Sequence, residues 1–138
     1  YPYDKMRVGD SFFVPGKTIR INAMGLFTTP ISPTACFVRI RFGDSGVLST
    51  LSHTRSISQT NSVWNVTATI TCQTAGISGT ILGQGYLHYI DPPLIQSMRN
   101  VTTEPINTTL SQLVRLTDTH NVSGASISCT NFILESLN

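Results

Sequence analysis

The segment Gly43-Asp44-Ser45-Gly46 holds the residue types best suited to covalent chemistry in this chain. A serine becomes a nucleophile when a histidine takes its proton and an aspartate orients that histidine. No histidine precedes Ser45, and 138 residues are too few for the double-barrel hydrolase that would supply one. Glycine and aspartate also favour the tight turns that join antiparallel strands. We therefore predict a hairpin turn at this segment and not a nucleophile.

The histidines of the chain are isolated from one another. His53, His88 and His120 lack the short spacing that marks a zinc site. The segment Asp-Thr-His-Asn at 118–121 could ligate an ion, but a polar loop is the simpler interpretation. Glycines that cradle phosphate open a helix, whereas the glycines at 79–85 lie inside a predicted strand. We predict that the protein is not an enzyme and uses no metal or cofactor.

The three cysteines are widely spaced and odd in number. Cys36, Cys72 and Cys129 fit neither a disulfide framework nor a zinc site. Each lies in a run of strand-forming residues, so we predict buried free thiols that pack as small apolar side chains. A single Cys36–Cys72 disulfide is the alternative.

Composition limits the classes of partner. Charged residues make up 12% of the chain and the net charge is +2, so the few Lys and Arg residues are too scattered for nucleic-acid binding. No apolar run approaches the roughly 20 residues of a membrane span, and we predict no membrane insertion. The chain starts with Tyr-Pro-Tyr, which suggests a piece of a longer protein. We assign 1–10 to a connector and 11–138 to one domain.

The dominant pattern in the sequence has a period of two residues. In 62–72, Trp64 and alternate residues after it are apolar, while a row of threonines falls on the opposite face. Turn-forming residues separate such runs every 8 to 14 residues, and a single helical turn at 92–100 is the only helix that the sequence allows. This pattern predicts an all-β, two-sheet antiparallel sandwich. Its strands are predicted at 17–27, 36–42, 62–72, 79–90, 112–118 and 123–137.

The order of these runs resembles one known domain family. The segments GKTIRIxAxG, VRIRFG, WxVxAxITCxxxGxSGTIxGxG and SxSCTNFILE follow one another along the chain. Together they resemble the tumour-necrosis-factor-like jelly roll at the C-terminal ends of bacteriophage and other viral structural proteins. The resemblance covers residues 14–90 and 110–137, and it is weakest at 91–109.

The resemblance implies a jelly roll of ten strands or fewer that assembles as a homotrimer. One sheet, with the strands at 17–27, 79–90 and 125–136, would face the neighbouring subunits. The strands at 36–42, 62–72 and 112–118 would form the solvent-facing sheet. The expected trimer interface consists of Met24, Leu26, Leu82, Gln84, Tyr86, His88, Phe132 and Leu134.

On this mapping the glycines of 79–90 receive a structural role. Gly83 and Gly85 would lie across the sandwich from Trp64 and would make room for its indole in the core. The alternative is a β-bulge or bend that needs glycine for its backbone angles.

The expected function follows from the resemblance. The domain would be a structural module of a virion, the trimeric head of a fibre, spike or capsid protein. Its partners would be other virion proteins and, through its loops, a host-surface receptor or glycan. The alternative is a cellular, extracellular binding module of the tumour-necrosis-factor-like or lectin-like type.

Overall fold

The computed structural model describes residues 5–30, 34–43, 45–50, 52–55, 58–100 and 103–138. In this part of the chain the regular structure consists of strands, and no helix there is long and apolar enough to cross a membrane. The strands are β1 (Lys5–Val8), β2 (Thr18–Thr29), β3 (Thr34–Phe42), β4 (Ser45–Ser49), β5 (His53–Arg55), β6 (Gln59–Thr74), β7 (Gly79–Tyr89), β8 (Leu94–Arg99), β9 (Glu104–Ile106), β10 (Gln112–His120) and β11 (Ser126–Ser136).

The strands form two antiparallel sheets, which confirms the predicted sandwich. The first sheet has the order β1-β10-β3-β4, and β5 also pairs with β3. The second sheet has the order β11-β2-β6-β7-β8, and β9 also pairs with β7. β2 lies beside β11 in the second sheet, and β3 lies beside β10 in the first. The connections β2→β3 and β10→β11 therefore cross between the sheets next to each other, as in a jelly roll. The Asn121 Oδ1 atom accepts a hydrogen bond from the Ala35 amide beside these crossings.

The period-two pattern places one face of each long strand in the core. Ile19, Ile21 and Ala23 of β2 are buried, and so are alternate residues of β3 from Cys36 to Phe42. Trp64 of β6 is fully buried, and its indole Nε1 donates to the Leu26 carbonyl at 3.2 Å. The core therefore fills from alternating apolar side chains, as a sheet with one solvent-facing side requires.

Four sequence-based assignments differ from the structure. Residues 62–72 belong to β6 of the second sheet, between β2 and β7, and not to the first sheet. Alternation identifies the buried face of a strand but does not say which sheet the strand joins. Lys5–Val8, inside the predicted connector, pairs with β10 and buries Val8. The segment 92–100, where the sequence allowed at most a single helical turn, contains the strand β8 instead. The described residues form eleven strands, whereas the resemblance implied ten or fewer.

The expected role of Gly83 and Gly85 opposite Trp64 is wrong, because all three residues lie in the same sheet. Trp64 pairs with Tyr89, whereas Gly85 pairs with Ala68. No irregularity of the β6–β7 register falls at either glycine, so the bulge alternative is not observed. A Cβ atom on Gly85 would lie 2.4 Å from the Thr67 carbonyl oxygen and 2.7 Å from Ala68. Glycine at this position permits the close backbone approach of β7 to β6.

This geometry predicts that Gly85→Ala destabilises the fold. The added methyl group would meet backbone atoms, which cannot move aside as a flexible side chain can, so we expect a loss of about 1–3 kcal/mol. The matched control is Gly46→Ala in β4, where the nearest atom to a new Cβ is Arg39 Cδ at an ordinary 3.6 Å. Thermal unfolding should show a lowered midpoint for the first variant only. Equal midpoints for the two variants would contradict the close approach.

Candidate interaction surfaces

The Gly-Asp-Ser-Gly segment coincides with the connection between β3 and β4. Phe42 pairs with Ser45, and Gly43 has a positive φ of 57°, so the chain reverses direction here. Ser45 begins β4 and is exposed. Asp44 lies outside the described residues. The predicted hairpin is thus confirmed by the pairing on either side of it.

The histidines have distinct environments. The register places His53 and His120 on the strands that flank Cys36. The ring of His53 is buried and bonds the Tyr89 hydroxyl at 2.9 Å, while the ring of His120 contacts the Asp118 carboxylate at 2.6 Å. Within the described ranges, no group of three or more His, Cys, Asp or Glu side chains could hold a metal ion.

Burial suppresses the ionisation of Cys36 and Tyr89, which both lie beside His53. It is the main cause that raises the pKa of the Cys36 thiol to about 11, and the nearby Asp118 charge raises it further. Burial also raises the pKa of Tyr89, whose ring packs under the Arg55 guanidinium at 4.6 Å. A thiol with a raised pKa carries little thiolate at neutral pH and is a poor nucleophile. Cys36 is therefore a packing residue.

The cysteines provide a direct test of the core. Cys36, Cys72 and Cys129 are all free and buried, and burial raises the pKa of Cys72 as well. We expect a thiol reagent such as Ellman's reagent to react negligibly with the native protein at pH 8. Three equivalents should react once urea unfolds the chain. One equivalent in urea would instead indicate a disulfide, and fast reaction of the native protein would contradict the burial.

The solvent-facing side of the second sheet has an apolar end. Cross-strand pairing aligns Leu26, Val63 and Ile90 in one row, and Met24 and Ile95 lie in the next row. Val63 is 46% exposed and Ile95 is 63% exposed, so large apolar side chains meet water here. We refer to these five residues as the apolar end.

The other end of the same face is polar. Arg20 pairs with Thr69, and the row continues through Gln84 to Arg99. A groove of about 530 Å³ lies over this region, and it is named the polar groove. It adjoins a smaller groove of about 280 Å³ that shares Thr69 and Gln84 and ends at Tyr86. The polar groove is lined by Thr69, Thr71, Gln73, Leu82, Gly83, Gln84, Arg99 and Asn100.

The predicted interface residues divide between these regions and the core. Met24 and Leu26 belong to the apolar end, His88 pairs with Ile95 beside it, and Tyr86 lies one row further. The row with Arg20 contains Gln84, and the row after it contains Leu82. All six project from the outward face, as expected from alternation. Exposed residues that the expected interface omitted are Val63, Ile95 and Ile133, each an apolar residue at an outward position.

Phe132 and Leu134 do not belong to this face. Phe132 is 8% exposed in the core, and Leu134 packs partly buried against it. The register of β11 against β2 shifts between Cys129 and Asn131. That β-bulge reverses the alternation, so Phe132 and Leu134 follow Cys129 into the core and Ile133 points outward. A strict period of two cannot reveal such a shift.

The solvent-facing side of the first sheet carries a concentration of arginines. Arg115 of β10 pairs directly with Arg41 of β3, and Arg39 lies two residues away on the same face. Arg7 of β1 projects from this face opposite Leu113. We refer to these four as the arginine stripe. Arg39 and Arg41 lie two residues apart in β3, but Arg7 and Arg115 are distant from them in the sequence and join them only through the pairing of β1, β10 and β3.

Comparison with known proteins does not assign the chain to a family. No protein-family model, no curated protein and no solved structure matches it.

Proposed function

We propose that this domain is a structural module of a virion, the trimeric head of a fibre, spike or capsid protein. In this proposal it assembles through the second sheet, associates with other virion proteins and presents its loops to a host-surface receptor. The observation that carries the proposal is the apolar end of the second sheet.

The apolar end has the character of an interface. Its side chains lie on strands whose opposite faces already fill the core, so these residues contribute nothing to the core of a single chain. Contiguous exposed apolar residues rimmed by polar ones are a feature of protein–protein contacts. Burying Met24, Val63 and Ile95 against a second copy would remove this surface from water, which is favourable by about 25 cal/mol per Å² of apolar area. The trimeric state is the expectation from the resemblance.

A second candidate is an extracellular binding module of the lectin-like type. The polar groove favours it, because Thr69, Gln84 and Arg99 offer hydroxyl, amide and guanidinium groups along a concave surface. Tyr86, 44% exposed at the end of the adjoining groove, adds a ring against which a sugar could pack. The two candidates differ in whether the second sheet binds a copy of the chain or a ligand.

The assembly proposal predicts that Val63→Lys separates the subunits. Val63 occupies the middle of its apolar row, and a lysine there would place a charge in a desolvated contact. Sedimentation equilibrium at micromolar concentration should give the wild-type chain three times its monomer mass of 15.0 kDa. The variant should sediment as a monomer.

The matched control is Ile77→Lys. Ile77 is 77% exposed but lies in the connection between β6 and β7, outside the sheet face. The Ile77→Lys variant should remain trimeric, which would show that the loss of assembly depends on the position of the lysine and not on the added charge alone. A wild-type chain that sediments as a monomer or a dimer would contradict the trimer.

A further inference from the structure

We infer that the arginine stripe is a binding site for a sulfated polysaccharide. This inference rests on the attachment role in the proposed function: it names the chemistry of a host-surface partner and adds a sheet face to the loops as a binding surface. It uses the first sheet and leaves the apolar end of the second sheet available for assembly.

The stripe concentrates positive charge on one flat surface. It contains four of the nine Lys and Arg residues of the chain. Strand geometry spreads them over about 13 Å along the strands and about 10 Å across them. Among the described outward-facing residues of β1, β10 and β3, none is acidic. Such a surface attracts an extended polyanion.

Local contacts hold the guanidinium groups in place. Arg7 Nη1 donates to the Ser111 hydroxyl at 2.8 Å, and Arg41 Nε donates to the Thr117 hydroxyl at 3.2 Å. Arg115 Nη2 donates to the Gly43 carbonyl at 3.0 Å. The Arg39 guanidinium packs on the Phe37 ring at 3.9 Å. Ordered arginines lose less side-chain entropy on binding, and their planar groups bond two oxygens of one anion.

The surroundings favour a sulfated sugar over nucleic acid. Proteins that bind single-stranded nucleic acid expose aromatic rings on which the bases stack. On this face Phe37 is the only described outward-pointing aromatic residue of β3 and β10, and Arg39 covers its ring. Hydroxyl side chains border the stripe: Thr117 and Ser49 flank Arg39 on the two neighbouring strands, and Thr119 lies two residues beyond Thr117 on β10. Serine and threonine hydroxyl groups can form hydrogen bonds with the hydroxyl and sulfate groups of a sugar chain.

Immobilised heparin provides the probe. We expect the wild-type chain to be retained at about 0.15 M salt and to elute as higher salt screens the charges. Arg7→Gln combined with Arg39→Gln removes both ends of the stripe, and it should lower the affinity at least about tenfold. The control is Lys17→Gln combined with Arg20→Gln, which removes the same charge at the start of β2 in the second sheet, outside the polar groove. The control should bind within about twofold of wild type, because β2 belongs to the second sheet and its charges are not part of the stripe.

Several outcomes would overturn the inference. The wild-type chain could pass through the column without being retained, or both double variants could lose the same amount of affinity for heparin. Desulfated heparin could also compete for the protein as well as heparin does. Tighter binding of a single-stranded oligonucleotide that the same stripe variant abolishes would assign the face to nucleic acid instead. Sedimentation separates this inference from the assembly proposal. A trimer that ignores heparin contradicts the stripe alone, and a monomer that binds heparin contradicts the trimer alone.

Discussion

The pairing of β6 with β2 on one side and β7 on the other is the interaction on which the rest of the structure depends. β6 is the longest strand described, and its inward face contributes an unbroken alternation of buried residues from Trp64 to Cys72. Its backbone lies so near β7 that Gly85 has no room for a methyl group. β2 approaches β11 as closely, since a Cβ atom on Gly25 would overlap the Ser128 carbonyl. Glycine on these strands therefore serves backbone packing within a sheet.

This central arrangement gives the two outer faces different chemistry. The second sheet presents apolar side chains at one end and amides, hydroxyls and guanidinium groups at the other. The first sheet presents arginines supported by hydroxyl groups. In our proposals the apolar end binds further copies of the chain, and the arginine stripe binds a polyanion. The two uses are compatible because the core separates the faces that carry them.

The polar groups buried at one end of the core need a separate explanation. His53 and Arg55 lie on the short strand β5, and both contact Tyr89 from the opposite sheet. A hydrogen bond and a cation–π contact therefore join the two sheets at this end of the core. The Arg55 guanidinium also donates to Gln59 and to the Pro92 carbonyl. These contacts explain how a charged residue can remain buried, and they give this cluster a structural role.

The sequence alone determined the fold class and the inward and outward faces of the long strands. Alternation predicted that Ile19, Ile21 and Trp64 are buried and that Met24, Leu82 and Tyr86 face outward, because side chains on a strand point to opposite sides in turn. It also indicated the hairpin at Ser45 and the free, buried cysteines. These features depend on local periodicity and on residue type.

Tertiary structure decided what alternation cannot encode. β6 joined the second sheet because pairing partners are chosen by long-range contacts, which the strand's own pattern does not specify. The bulge in β11 turned Phe132 and Leu134 inward, because one extra residue reverses every later position of a strand. Arg7, Arg39, Arg41 and Arg115 became a single surface because β10 lies between β1 and β3 in the sheet. Their charges look scattered in the chain and become concentrated only after the strands pair.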